Sequence, residues 1–577
     1  MTPSSPPDAA APPPALSRTG ALWLAALLWA AIYLPCLGSL EIKGEEGRRL
    51  LPALAMLDTG RWVVPQIGGV DYLSKPPLVN WLAAASFRTC ELLGGDARSE
   101  WAARAPSVLV VLALALALTG ALARWLTPAG ALLAAVFALT NIGLMEKGRL
   151  AEIEALYISL YGIALALWLA GWRRDALAAE AGAPPRPGWR TWTLPWVFLG
   201  LGLLTKGPLH LLFFYGVVVA VVGLAGRWRD LLNPAHFVGI ILMLTIFAAW
   251  AVPYFHATAA DRAGGVWLAQ FQGRLEVNEG FRFGAWLLNI PRGLVNFLPW
   301  TVLLPLLWRA LPEAVPAVDR ALLRGLRWAA LGGFLTVSLA PGGQPRYTLP
   351  LLVPAAVALA LACRRGWGSV EADGALPPWL GDAWTRTVCV AALVAGALAL
   401  PAAALAGRGG AGWLVAAGIA AGTGWLAWRV VPWKLPPPWE RVQPHRTLPL
   451  AVASTAVMGL LTWDYALGVV PRLRRYESIR PAARAINRAV AADPDPAARA
   501  ARVTVLAPGF LPLLYYMKPG PDYAQAPTDV PVTAPWLLAR PSDLRPSPAE
   551  RWRDVLTVTD KRVRQPGRNR WHLYRLE

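Results

Sequence analysis

Two stretches of this chain put carboxylates and cations close together beside long apolar runs. The first reads Glu41-Ile-Lys-Gly-Glu45-Glu46-Gly-Arg48-Arg49 and continues, after an apolar run, to Asp71-Tyr72-Leu-Ser-Lys75-Pro76-Pro77. The second is Glu146-Lys147-Gly-Arg149-Leu-Ala-Glu152-Ile-Glu154. Single charged residues recur between later apolar runs: Lys206 in Leu204-Thr-Lys-Gly-Pro208, then Arg262, Arg274, Glu276, Arg282, and Arg346-Tyr347 after Pro341-Gly-Gly-Gln-Pro345. Ionisable groups at a membrane boundary are costly unless they serve something. Residues of these types suit a reaction with an anionic leaving group. A carboxylate orients or deprotonates an acceptor hydroxyl, and cations hold a phosphate and stabilise the charge it gains as a bond breaks.

Each residue also has a plainer reading. Glu45 and Glu46 fit a solvated turn at a membrane exit, and Glu154 fits a helix N-terminus favoured by the dipole. Lys206 fits a snorkelling lysine, and Arg346 a contact to lipid headgroups. His210 and His256 read as satisfied or interfacial histidines rather than metal ligands. The Trp residues read as interfacial anchors.

The elements that must position these groups are apolar helices. Of the 577 residues 56% are hydrophobic and only 16% charged, well below the quarter or so of a soluble domain. The bulk of the chain therefore belongs in lipid. The net charge of +20 would suggest nucleic acid in a soluble protein. Here many arginines fall in short loops, where lipid phosphates, membrane topology and anionic substrates explain them, so no nucleic-acid partner is expected. The four cysteines, Cys36, Cys90, Cys363 and Cys389, have no metal-ligand spacing and suggest no disulfide framework.

Residues 1–19, rich in Pro, Ala and Ser, read as a disordered tail. Residues 20–40 read as an uncleaved first span. The 41–100 insertion holds Leu50, Leu51, Leu54 and Leu57 at helical spacing before Gly60, an amphipathic helix of about three turns suited to lie on the membrane surface. Pro76-Pro77 places Lys75 on a rigid extended segment.

Further spans are expected at 105–123 and 125–145, a hairpin turning at Thr127-Pro128, then at 155–172, 191–205, 207–226, 231–260, 293–308, 328–340, 347–363, 387–407, 409–428 and 447–470. The sum is about 13 helices by the roughly 20-residue criterion. Arginine-rich alternate loops put the N-terminus inside and the C-terminus outside. The 41–100 insertion is also basic and breaks that bias, an exception that a functional use of its cations would explain.

After 470 the chain turns charged. A helix near 479–491, strands at 503–507, 554–558 and 570–576, and a helix start at 510–516 suggest a small external α/β domain. The expected domains are thus a transmembrane unit over 20–470, with its outer loop 41–100, and a C-terminal unit over 471–577.

At these residues the chain resembles the GT-C membrane glycosyltransferases that include the aminoarabinose transferase of lipid A and the protein O-mannosyltransferases. The matching pieces, in order, are Glu45-Glu46-Gly-Arg48, Gly60-Arg-Trp-Val-Val-Pro65, Tyr72-Leu-Ser-Lys75-Pro76-Pro77, Gly148-Arg-Leu-Ala-Glu-Ile-Glu154, Leu203-Leu-Thr-Lys-Gly-Pro208, Leu298-Pro-Trp300 and Arg346-Tyr-Thr-Leu-Pro350. They span about the first 360 residues.

The resemblance implies an all-α polytopic protein of the GT-C fold in the bacterial inner membrane, with a small C-terminal α/β periplasmic domain. It implies inverting transfer of a sugar from a polyprenyl-phosphate donor to a lipid, glycan or protein acceptor at the periplasmic face. Glu45 would be the carboxylate at the acceptor and Glu154 the second acidic residue. Tyr72, Lys75, Arg274 and Tyr347 would face the donor, with Arg48, Arg149, Lys206 and Arg346 as further binding candidates.

The chain also departs from the family pattern. Glu stands at both positions where the family usually has Asp. Ser74 stands where the aminoarabinose transferase has Glu, and Ala269 where it has His. Ligands for a divalent metal are therefore not supported, and no cofactor is assigned. A transporter or flippase of lipid-linked saccharide, or a catalytically inactive assembly partner, are the competing readings.

Overall fold

A computed structural model describes residues 16–577 apart from 97, 185–187, 259, 273–282, 309, 312, 314, 364–384, 398–416, 419, 423–424, 426–446, 508–511, 545–551 and 560–569. The N-terminal tail up to 15, Arg274, Glu276, Arg282 and most of the span expected at 409–428 lie outside the described residues.

The first helix, α1 (Arg18–Tyr33), is capped by Ser17, whose hydroxyl accepts from the Gly20 N–H. It stops well before residue 40, because Pro35 lacks an N–H to continue the ladder and Cys36 takes a left-handed φ of 54°. Next come α2 (Glu46–Thr59), α3 (Leu78–Leu92) and α4 (Glu100–Leu139). Gly60 ends α2 in the left-handed region, φ 71°, as its sequence position suggests. α4 breaks at Thr127 (φ 64°, ψ 162°), where Pro128 excludes the helical conformation from the residue before it.

The bundle continues with α5 (Ile142–Lys147), α6 (Ile153–Glu180), α7 (Trp189–Lys206), α8 (Leu209–Leu224) and α9 (Pro234–Ala257). It is completed by α10 (Ala260–Gln272), α11 (Phe283–Leu287), α12 (Asn289–Val295), α13 (Ala317–Leu339), α14 (Leu352–Ala362), α15 (Thr385–Ala397) and α16 (Thr447–Asp464).

Among the described residues four helical segments are long and apolar enough to cross a bilayer: Glu100–Leu139, Ile153–Glu180, Pro234–Ala257 and Pro345–Ala362. A fifth arises if Asn289–Val295 and Trp300–Trp308, bent by 103°, make one span. Among the described residues this does not confirm the expected number of about 13. Proline and glycine cut several runs into pieces: Gly207-Pro208 separates α7 from α8, and α1, α8 and α15 are shorter apolar helices. The protein is nonetheless a helical membrane protein by composition and fold.

The chain closes with α17 (Ile479–Ala491) and a five-stranded sheet of order β4-β3-β5-β7-β6. Strands β3 (Thr504–Leu506), β4 (Asp522–Ala524) and β5 (Trp536–Ala539) pair in parallel; β6 (Trp552–Thr559) and β7 (Arg570–Leu576) add antiparallel. A two-residue ladder, β1 (Gln66–Ile67) with β2 (Val70–Asp71), precedes Tyr72.

The sheet unit is not a separate appendage. Leu50, Leu51 and Leu54 of α2 share one hydrophobic core with Phe87 of α3, Ile486 of α17, and Leu513, Leu514 and Tyr515. The apolar face of α2 therefore meets protein rather than the membrane surface: the sheet unit covers the stripe that the sequence pattern assigned to lipid.

Polar contacts tighten the same junction. The Tyr516 hydroxyl donates to Glu100 Oε1 at 2.6 Å and accepts from the Ile42 N–H at 2.8 Å. Glu41 Oε1 accepts from the Arg480 N–H at 2.7 Å.

At the root of α2 lies a buried ion pair. Arg104 Nε and Nη2 donate to the two carboxylate oxygens of Glu46 at 2.8 and 2.9 Å. The remaining Arg104 donors go to the carbonyls of Leu37, Leu40 and Glu41. Glu46 also accepts from the N–H groups of Lys43 and Ala151, each at 3.0 Å. Removing one partner of such a pair leaves the other charge buried, at about 3–5 kcal/mol. Arg104→Met should therefore lower the thermal unfolding temperature in detergent sharply, and Arg104→Met with Glu46→Met should recover part of the loss. Equal stabilities of wild type and Arg104→Met would refute this.

Candidate active site

α2, the Tyr72–Lys75 segment, the start of α6, the end of α7 and the turn of 3-10 helix Pro345–Leu351 meet around a cavity of about 340 Å³. It is lined by Glu45, Arg48 and Arg49 from the first stretch, and by Tyr72, Ser74 and Lys75 from the loop. Glu152, Ile153 and Glu154 enter from the second stretch, with Lys206, Arg346 and Tyr347.

Glu45 and Glu46, neighbours in sequence, part company here. Glu46 turns inward to Arg104. Glu45 opens α2 with its side chain 38% exposed, within 3.5 Å of Arg48 and 3.7 Å of Arg49. Arg49, nearly buried, donates through Nη1 to the Tyr72 hydroxyl at 2.9 Å, which joins the helix to the loop.

Glu154 lies in the first turn of α6, and Lys206 Nζ donates to its Oε1 at 3.0 Å; both side chains are about nine-tenths buried. The ammonium also stands 5.3 Å from the Tyr157 ring centre and 5.7 Å from that of Tyr347, within cation–π range. Lys206 is thus enclosed by protein and does not snorkel. Glu152 stands at the N-cap position of the same helix, and its side chain pairs with Lys147 at 3.1 Å instead of capping. It is the more buried of the two, and burial pushes its carboxyl above the usual carboxylate range despite Lys147.

The loop that presents Lys75 is held by aromatic side chains. Tyr254 Oη and Trp267 Nε1 both donate to the Leu73 carbonyl, at 3.1 and 2.8 Å, and Trp250 Nε1 donates to that of Val63. The Tyr72 N–H returns to the Pro65 carbonyl at 2.7 Å. These three side chains clamp the loop with their polar atoms, a use that a reading of Trp as interfacial anchor does not foresee.

Most of the residues expected from the sequence meet in this cavity: Glu45, Arg48, Tyr72, Lys75, Glu154, Lys206, Arg346 and Tyr347. Arg149 does not. Its guanidinium turns away, donates to the Pro35 carbonyl and lines a second cavity with Glu146. The segment between α5 and α6 runs as a wall, with Arg149 and Leu150 on one side and Glu152 to Glu154 on the other. The hydrogen bond from Ala151 N–H to Glu46 pins its middle.

Arg49, Ser74 and Glu152 are lining residues to which sequence reasoning gave no role. The available signals were the four-residue spacing of Arg49 from Glu45, which puts them on one helix face, and the two-residue spacing of Glu152 from Glu154. His210 is a satisfied core histidine, its ring nitrogens 3.0 Å from the Gly207 and Leu199 carbonyls. Among the described residues no three His, Cys, Asp or Glu side chains are grouped as a metal site.

A bundle of apolar helices with a charged cavity at one end, roofed by a small sheet unit, is the GT-C fold of membrane glycosyltransferases. Over 96% of its length the chain superposes on the crystal structure of ArnT from Cupriavidus metallidurans bound to undecaprenyl phosphate, at a TM-score of 0.67 and 18% identity, covering 97% of that chain. The family model for dolichyl-phosphate-mannose-protein mannosyltransferase matches residues 74–252.

Among curated proteins the chain is similar to the undecaprenyl phosphate-alpha-4-amino-4-deoxy-L-arabinose arabinosyl transferase of Pseudomonas aeruginosa (strain LESB58), 29% identical over 320 residues, 54% of each chain. The protein of the same name from Pectobacterium carotovorum subsp. carotovorum (strain PC1) is 27% identical over 426 residues, 72% of this chain and 71% of that one. The chain spans about half the length of most of these curated relatives. The resemblance read from the sequence therefore holds.

Five cationic side chains face three carboxylates in the cavity, and Glu152 is already matched by Lys147 outside the lining. The excess positive charge predicts anion binding. Inorganic pyrophosphate should raise the unfolding temperature of the purified protein, and high salt should weaken the effect. Arg49→Gln and Lys75→Gln should each cut pyrophosphate affinity, as expected for loss of a charged hydrogen bond of roughly 1.5–3 kcal/mol. Unchanged affinity in both variants would remove the cavity as the site.

Proposed function

We propose that the protein is an inverting glycosyltransferase that moves a sugar from a polyprenyl-phosphate donor to an acceptor at the outer face of the bacterial inner membrane. The observation that carries this reading is the cavity itself. Carboxylates from two distant stretches and cations from four stand together at one end of an apolar helix bundle. The likeness in fold to a structure holding undecaprenyl phosphate supports the donor class. The N-terminus then lies in the cytoplasm and the C-terminus in the periplasm. The transmembrane unit covers 20–470, with loop 41–100, and the C-terminal unit 471–577.

The roles follow from exposure and pairing. Glu45 is the open carboxylate, so it takes the acceptor. The acceptor oxygen attacks the anomeric carbon, and its proton passes to Glu45. On the opposite face the bond from that carbon to the phosphate oxygen breaks, and the electron pair leaves with polyprenyl phosphate. Lys75, Arg346 and the Arg49–Tyr72 pair surround the place where that negative charge grows. Arg346 Nε is buried and makes no hydrogen bond within the described residues, a donor ready for a phosphate oxygen. Tyr347 lies beside the donor sugar, and Arg48, next to Glu45, helps hold it ready. Glu154, buried and held by Lys206, keeps the donor end of the site in shape.

The experiment is transfer in vitro from undecaprenyl-phosphate aminoarabinose, the donor in the relatives' name, and from other undecaprenyl-phosphate sugars. Glu45→Gln should fold, insert and still bind undecaprenyl phosphate, yet lose about 10²–10⁴ in kcat, the usual worth of a general base. Glu45→Asp should keep part of the rate. Lys75→Ala should raise the donor KM more than it lowers kcat. Full transfer by Glu45→Gln would sink the proposal, and movement of lipid-linked sugar across proteoliposomes without transfer would favour a flippase.

A further inference from the structure

The second cavity shares no lining residue with the charged one. It encloses about 470 Å³ between the end of α1, α5 and the end of α16. Much of its wall is apolar, with Leu37, Ile142, Met458 and Leu461 facing one another, and Ile142 is 40% exposed at its edge.

Four charged residues also line it: Lys43, Arg104, Arg149 and Glu146. Arg104 is committed to Glu46, and Glu146 stands 3.4 Å from Lys147. Lys43 and Arg149 are left, and among the described residues neither pairs with a carboxylate. Arg149 is half-buried, and burial pulls its pKa below the ordinary guanidinium value. A cation kept there without a carboxylate needs an anion from elsewhere.

We propose that this cavity binds an anionic phospholipid of the bilayer, its phosphate held by Arg149 and Lys43 and its acyl chain laid along Leu37, Ile142, Met458 and Leu461. The cationic rim fits a phosphate, and the apolar wall beside apolar helices fits a chain rather than a soluble anion. The donor has its own cationic cavity on the far side of the wall formed by Arg149 to Glu154, so a phosphate held here stands apart from Glu45. The lipid braces that wall from behind, on the face opposite Glu152 and Glu154. The inference does not depend on the transferase reading, since it concerns binding alone.

Native mass spectrometry of the full chain with dioleoylphosphatidylglycerol, dioleoylphosphatidylcholine and undecaprenyl phosphate tests it. The wild type should retain the phosphatidylglycerol in preference to the phosphatidylcholine. Arg149→Gln and Lys43→Gln should each lower its retention roughly fivefold, the usual worth of one cation at an anionic headgroup, and Arg149→Lys should keep most of it. Matched unfolding temperatures separate lost binding from lost folding, and Leu461→Trp, which fills the cavity without touching its charge, should also expel the lipid. Equal retention of the two phospholipids, or undiminished phosphatidylglycerol in both charge variants, would overturn the proposal. So would displacement of phosphatidylglycerol by equimolar undecaprenyl phosphate, which would give the cavity to the donor.

Discussion

The Arg104–Glu46 pair is the contact on which the arrangement of the site depends. One guanidinium, buried in α4, donates to a carboxylate at the start of α2 and to three carbonyls of the connection from α1. The same carboxylate receives the Ala151 N–H. A single buried knot thus sets the origin of the helix that bears Glu45 and the middle of the segment that leads into Glu154. Buried ion pairs add little to stability when compared with well-packed apolar residues. What this one supplies is position: a charged acceptor with four donors around it admits few alternative arrangements, and each broken hydrogen bond there would leave a buried polar group unmet.

Position is reinforced by the C-terminal sheet unit. The sheet unit packs its own core onto the apolar face of α2, so the helix is gripped on one side by Arg104 and on the other by Leu513, Leu514 and Tyr515. Among the described residues the C-terminal region carries no lining residue of the charged cavity, yet it helps decide where Glu45 stands. The loop opposite is fixed by the Trp250, Tyr254 and Trp267 side chains from α9 and α10. Rigid support of this kind limits the reorganisation a reacting site must undergo when charge moves.

The electrostatic pattern follows from which carboxylates are already answered. Glu154 has Lys206 and Glu152 has Lys147, whereas Glu45 sits in the open with two arginines at longer range. A buried carboxylate already answered by a lysine has its oxygens occupied, whereas an open one leaves room for an incoming hydroxyl to approach. The proposed division of roles between Glu45 and Glu154 thus rests on their surroundings and not on their chemical type.

Much of this was legible from residue order alone. Helix punctuation is local: Gly60 needs a left-handed conformation and Pro128 forbids helix at Thr127. The strand at 570–576 and the helix at 479–491 were plain from periodicity for the same reason. The extended segment expected at Pro76-Pro77 is not found: the chain turns at 73–75, and Pro77 enters α3 with φ −92° and ψ −3°. The meeting of Glu45 with Glu154 was legible only through the ordered set of motifs. What the tertiary structure decided is which side each polar group faces. Adjacent residues on a helix point about 100° apart, so Glu45 and Glu46 had to diverge, but only Arg104 determines that Glu46 is the one drawn inward. The apolar stripe of α2 reads the same whether lipid or a sheet covers it, and Arg149 reads the same on either side of a wall. Partner choice depends on segments from 58 to 474 residues away, and no local pattern contains it.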